Sequence, residues 1–189
     1  MAKRRKVKKK DEKERRAKAS AEGSRGRRPK VAVRNEQELA VDVAGLKRVL
    51  RSALAALRLR GVEISVLLVG EAEMAALNAR YRDEPEATDT LAFPATEDFP
   101  APDKLSRDAA VSCLDARRRA FPEQVRMPIG DLAICPAVCA RYALQHGQPL
   151  EQEICAVAMH GLLHLLGFDH GTPEEAARMQ QEQAFLLAT

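Results

Sequence analysis

The stretch Pro149-Leu-Glu-Gln-Glu-Ile-Cys-Ala-Val-Ala-Met-His160-Gly-Leu-Leu-His164-Leu-Leu-Gly167-Phe-Asp169-His170 decides how this chain folds and what chemistry it carries. From Pro149 to Gly167 it is apolar on nearly every side, the pattern of a helix packed in the middle of a domain. On such a helix, residues four apart lie about 40° apart around the axis and about 6 Å apart along it, so His160 and His164 project from one face. Gly167 supplies the flexible or left-handed residue that ends a helix, and the reversed chain can carry His170 back to the other two rings. Three of the chain's four histidines fall within these eleven positions. Buried imidazoles without partners are costly, which argues against an incidental placement. Three neutral imidazoles leave a fourth tetrahedral position open, the layout of a catalytic zinc rather than a closed structural one. The sequence therefore predicts one zinc ion per chain, held by His160, His164 and His170.

The spacing also matches the HxxxHxxGxxH part of the metzincin protease signature, with one difference. Metalloproteases place a general-base carboxylate directly after the first histidine, and this chain has Gly161 there. Peptide hydrolysis lacks its usual base. A substrate with an internal nucleophile fits better, and RNA with its 2′-hydroxyl is one.

Outward from this segment, Pro136 opens a helix that runs to His146 and stops at Gly147. His146 sits at that helix's C-terminus, where a cation is favoured, and reads as a surface residue rather than a ligand. Glu153 shares the histidine face two turns earlier, about 10 Å away along the axis, and reads as solvated or supporting rather than ligating. Thr172-Pro173-Glu174-Glu175 supplies an N-cap, a first-turn proline and two acidic residues for a last helix to Leu187. Towards the N-terminus, Lys30–Arg34 alternates as a short strand, and Leu46, Leu50, Leu54 and Leu57 recur at helical spacing before a stop at Gly61. Val62–Val69 reads as a buried strand, Glu71–Arg82 as a helix with Met74, Leu77, Asn78 and Tyr81 on one stripe, Thr88–Phe93 as a third strand and Gly130–Cys135 as a fourth. Residues 95–128 are loop-rich apart from a short helix over Ala109–Ala120, and read as an insertion. The fold class is α+β: one domain over residues 30–189, with one four-stranded mixed sheet flanked by about five helices.

Charge divides the chain. Residues 1–30 hold fifteen Lys/Arg against four Asp/Glu, a net of +11, while the remainder has sixteen against twenty-three, a net of −7. Residues 1–29 thus read as a disordered basic arm on an acidic globule, and polyanions are the partners such an arm suits. The arm has no apolar core or small-residue cleavage site of a secretory signal, and no run approaches the roughly 18 apolar residues of a membrane span. A cytoplasmic protein is expected. Cys113, Cys135, Cys139 and Cys155 form no CxxC pair and read as reduced core residues; Cys155 lies about 140° around the helix from His160, poorly placed as a fourth ligand.

The chain resembles the YbeY family of bacterial metal-dependent endoribonucleases that act in ribosomal RNA maturation. Three motifs carry the likeness in order: Leu77-Asn-Ala-Arg-Tyr81-Arg82 with Thr88-Asp89-Thr-Leu91-Ala-Phe93-Pro94, then Gly130-Asp131-Leu-Ala-Ile134, then the histidine segment. Ala87 and Ala92 stand where the family usually has proline and serine, and the stretch from Pro94 to Gly130 is longer than usual. The resemblance implies a four-stranded sheet with surrounding helices, zinc on His160, His164 and His170, and Arg82 as the essential active-site arginine. A guanidinium contacts two nonbridging phosphate oxygens at once, which suits the charge that builds as a phosphodiester breaks. Asp131 is left between a place near the site and a turn cap.

The activity so implied is single-strand-specific, zinc-dependent RNA cleavage in ribosomal RNA processing (16S rRNA 3′-end maturation) and ribosome quality control, with ribosomal RNA precursors and the ribosome as partners and the arm contacting RNA. Two other readings stand beside it. One is a metalloprotease or amidase, against which Gly161 counts. The other is a non-enzymatic ribosome-associated RNA-binding factor with a structural zinc, gripping RNA through the arm.

Overall fold

The computed structural model describes residues 27–100, 105–122 and 124–189. Most of the basic arm expected over residues 1–29 lies outside the described residues. Ten elements follow one another: β1 Lys30–Asn35, α1 Val43–Ala56, β2 Val62–Leu68, α2 Glu71–Arg82, β3 Thr90–Pro94, α3 Arg107–Arg118, β4 Met127–Ile134, α4 Pro136–His146, α5 Leu150–Leu165 and α6 Pro173–Leu187. The four strands form one mixed sheet in the order β1-β2-β4-β3, in which β3 alone runs antiparallel to its neighbour. This is the α+β domain the sequence predicts, with six helices among the described residues rather than five.

Helix α3 is the short helix expected over Ala109–Ala120 inside the stretch read as an insertion, and it runs two residues earlier. Ser106 caps it by accepting from the Ala109 amide, and it buries Ala110 and Leu114. Near its other end, Arg117 Nη2 donates to the Ala95 carbonyl at 2.8 Å, which ties α3 to the chain leaving β3.

Alternation decides the two faces of the sheet. Ile64, Val66, Leu68, Leu132 and Ile134 join the main core, with Leu50 and Leu54 of α1 and Ala158, Leu162 and Leu165 of α5. The other face gathers a smaller cluster of Val69, Met74, Leu91, Ala133, Cys135 and Val138, covered by α2 and the start of α4. Each large side chain so buried contributes about 1.5–3 kcal/mol, before the entropy of ordering is set against it.

Of the boundaries that differ from those expected, three have a local reason. Helix α1 ends at Ala56 and not near Gly61: Leu57 closes it, Arg58 takes the left-handed position at φ 58°, and Gly61 at φ 64° serves the entry to β2 instead. Strand β4 starts at Met127, ahead of the expected Gly130, because Pro128 sits where the register with β2 shifts at Glu63/Ile64, a bulge that tolerates a residue without an amide hydrogen. Strand β3 starts at Thr90 rather than Thr88, since the Asp89 carboxylate takes the Thr90 amide at 2.6 Å.

Just past that bulge Gly130 has φ 149°, and a Cβ there would stand 2.5 Å from the Phe93 carbonyl oxygen and 2.6 Å from Leu165 Cδ2. Neither the backbone oxygen nor the buried leucine can retreat. Gly130→Ala should therefore lower stability by on the order of 1–3 kcal/mol. Gly147, at φ 64° with nothing within 4 Å of its Cβ position, should cost only about 1 kcal/mol on the same change. Thermal unfolding of the two variants should show the larger fall in midpoint for Gly130→Ala.

Candidate functional site

Helix α5 presents two of the imidazoles and the turn after it the third. His160 and His164 share a face, with their Nε2 atoms 3.2 Å apart. Gly167, at φ 85°, reverses the chain so that the His170 ring lies 5.3 Å from that of His160 and 5.1 Å from that of His164, centroid to centroid. One ring nitrogen from each falls within 4.8 Å of the others. The pincer and returning third ring predicted from spacing are both present. The glycine also leaves room for Phe99, since a Cβ on Gly167 would stand 2.6 Å from that ring.

Burial favours the neutral form of His160 and His164. Burial pushes His160 below its usual value, and the neighbouring His170 adds to this, while the Asp89 carboxylate pulls the other way. His164 is pushed from 6.5 to about 4, by burial first and then by His160 and His170. Neutral imidazole is the form that binds a metal.

Two further groups act on these rings. Gln183 of α6, whose amide nitrogen donates to the Ala156 carbonyl at 3.0 Å, favours the charged form of His160, and the Phe168 backbone favours that of His164. Groups beside a ligating ring can fix its tautomer and orientation. Sequence reading missed Gln183, whose contact arises from the packing of α6 on α5, and it gave no role to Asp89.

Arg82, the last residue of α2, lines the same cleft as His164, Asp169 and His170, a space of about 560 Å³ with Pro94 and Phe99 on its other side. The motif around it is structural. Asn78 is buried and donates Nδ2 to the Glu86 carbonyl at 2.8 Å, pinning the loop beyond the helix. Tyr81 meets Phe93 edge to face at 5.0 Å, which ties the helix end to β3. Asp83 closes the helix in the left-handed conformation at φ 59°. Asp131 is exposed on β4, on the opposite sheet face from the neighbouring Leu132 that meets α5, so it stands apart from the imidazoles.

Gly161 has a reason to be glycine. A Cβ there would lie 2.8 Å from Leu132 Cδ2 and 3.3 Å from Thr90 Oγ1, so α5 rests on the sheet at this residue. A Cβ at this position would face Leu132 and Thr90 of the sheet rather than the imidazole cluster.

Glu153, expected to be solvated or beside the histidines, is instead buried in the first turn of α5, where the helix dipole favours an anion. Gln148 donates to it, and His146 Nδ1 lies 3.7 Å away with its side chain exposed. Cys135 and Cys139 are buried as expected, and burial pushes the Cys139 thiol up to about 12; Cys113 and Cys155 are only half-buried.

An imidazole cluster on a central helix, opening on an arginine-edged cleft beside the antiparallel edge strand, defines the structural class. Comparison with known proteins supplies the family: the model described as Endoribonuclease YbeY matches residues 32–189. Curated proteins named Endoribonuclease YbeY are similar over most of the chain. The one from Thermobifida fusca is 39% identical over 160 residues, 84% of this chain and 92% of that protein. That from Paenarthrobacter aurescens is 37% identical over 160 residues, covering 84% and 90%, and that from Acidothermus cellulolyticus 34% over 158 residues, covering 83% and 88%. The chain belongs to the YbeY family.

The depressed rings make the metal-free protein acid-sensitive. Between the ordinary histidine value of 6.5 and about 4, the unfolded chain takes up protons at His164 that the folded chain refuses, so stability falls as pH falls through that window. Thermal midpoints of the metal-free protein should drop on acidification from pH 6.5 to 4. His164→Gln should make that profile shallower.

Proposed function

We propose that the protein is a zinc-dependent endoribonuclease that cuts single-stranded RNA in ribosomal RNA precursors, including 16S rRNA 3′-end maturation, and takes part in ribosome quality control in the cytoplasm. The observation that carries the reading is that Arg82, distant in sequence, lines one cleft with His164 and His170 of the imidazole cluster. The relatives' shared name supports the reaction class. Among the described residues no helix is long and apolar enough to cross a membrane.

The donor set fits zinc. Two ligands at about 2.0–2.1 Å from a tetrahedral ion stand about 3.3 Å apart, close to the 3.2 Å between the His160 and His164 Nε2 atoms. His160, His164 and His170 would hold the ion, one per chain, and bound there it would supply a Lewis acid and charge stabilisation at the phosphate. Gln183 and the Phe168 backbone, beside two of the rings, would help fix their orientation. Arg82 offers a planar fork that pairs with two nonbridging oxygens as their charge grows.

The packing of Gly161 against Leu132 and Thr90 weighs against a protease or amidase, since it leaves no room for a side chain at the position where such enzymes carry their base. A purely structural zinc leaves the placement of Arg82 at the cleft without a purpose. The basic arm would add encounter with RNA through charge, outside the cleft.

Elemental analysis of the purified protein should find one zinc per chain. The double substitution His160→Ala, His164→Ala should abolish it, because one imidazole and solvent cannot replace three imidazoles. Stoichiometric zinc in that variant would sink the ligand assignment.

Arg82→Ala should keep the fold and the zinc but slow RNA cleavage by about two to three orders of magnitude, the scale for losing one transition-state charge interaction. Arg82→Lys should recover only part of the rate, since a point charge lacks the fork. Single-turnover cleavage of a labelled RNA by the three proteins checks this, and wild-type rates from Arg82→Ala would make Arg82 an ordinary surface residue.

A further inference from the structure

At the opposite edge of the sheet from β3, beside β1 and the end of α1, a second cleft of about 450 Å³ is lined by Arg28, Arg48, Arg51, Arg58 and Arg60. No acidic side chain lines it. All five arginines are exposed. Arg48 pairs with Asp42 at 3.3 Å; the other four guanidinium groups have no ion pair among the described residues. Residues 31–189 carry a net charge of −7, so this concentration of unneutralised cations runs against the composition around it.

Two further observations converge on the same place. Arg58 occupies the left-handed position after α1 at φ 58°, where glycine is the usual occupant, so the charge is retained at a cost of about 1 kcal/mol. The Gly61 amide donates to the Arg27 carbonyl at 2.7 Å, which anchors the backbone next to Arg28, and the sequence before it, residues 1–26, holds twelve Lys/Arg against four Asp/Glu.

We infer that this arginine cleft binds the phosphates of single-stranded RNA, as a track separate from the cleavage cleft; the inference rests on the nuclease reading above. Arginine forks grip phosphate oxygens in pairs, and each phosphate neutralised releases counterions. Arg28, Pro29, Ser52, Ala55 and Leu59 include no aromatic ring on which a base could stack, so the track recognises backbone and not sequence. Its role is to hold RNA while the distant cleft selects the bond.

The test uses the full chain and a labelled single-stranded oligoribonucleotide. In the triple variant Arg51→Gln, Arg58→Gln, Arg60→Gln, the slope of log affinity against log salt should flatten by about two, at roughly 0.7 for each phosphate no longer neutralised. KM for cleavage should rise about tenfold with little change in kcat, zinc content or thermal midpoint. The corresponding triple lysine variant should recover most of the slope. Arg58→Gly alone should raise the thermal midpoint while weakening RNA binding, a combination that a merely structural arginine does not produce.

An unchanged slope in the glutamine triple would overturn the inference, with RNA binding then resting on residues 1–26 alone. So would equal losses in the lysine and glutamine triples, or loss of binding to phosphatidylserine vesicles with RNA binding intact. Salt-dependent RNA binding by a wild-type protein that cuts nothing would instead count against the nuclease reading and leave the cleft standing.

Discussion

The site depends on how closely helix α5 can lie against strand β4. At Gly161 the helix backbone rests on Leu132 and Thr90, and at Gly130 the strand gives way to Leu165 from the other side. These two glycines remove the side chains that would hold helix and sheet apart, and interiors packed this densely transmit any such separation. The depth of the helix sets where His160 and His164 emerge beside the edge strand β3, and the same burial keeps both rings neutral. Packing and ligand chemistry here are one constraint, and the absent carboxylate after His160 is its by-product.

A second constraint joins the two halves of the cleft. Arg82 belongs to α2 on one face of the sheet, and the imidazoles to α5 on the other. They meet because β3 is the edge strand: Tyr81 packs on Phe93 from one side, and Phe99, just beyond the strand, packs over Gly167 on the other. The single antiparallel strand thus serves as the hinge line along which chemistry from both faces converges.

Much of this was legible in the sequence where local pattern decides structure. The 3.6-residue repeat gave the helices, Pro136 and Gly147 bounded α4, and the i, i+4 histidines with a glycine turn gave the cluster. Failures arose where tertiary packing overrides local signals. Pro128 looks like a strand breaker until the bulge opposite β2 is known, and Arg58 looks like an ordinary helix residue although it takes a glycine's conformation. Glu153 looked solvated by its type, yet the first turn of α5 and Gln148 make burial tolerable. Gln183 could not be found at all from spacing, because its link to His160 exists only once α6 is docked on α5. Arg82 was legible through family likeness and not through periodicity.

The three imidazoles come from eleven consecutive residues, whereas Arg82 lies seventy-eight positions before His160. Closing a short loop costs less chain entropy than closing a long one, and here a helix and one glycine suffice for most of the closure. The imidazole cluster is therefore a local unit, and the arginine reaches it only when β3 has paired with β4. In the growing chain Arg82 emerges first and waits for strands and ligands made later. A half-made chain therefore holds the arginine without the imidazoles, and the cleft closes only when the last strand and the helix after it are in place.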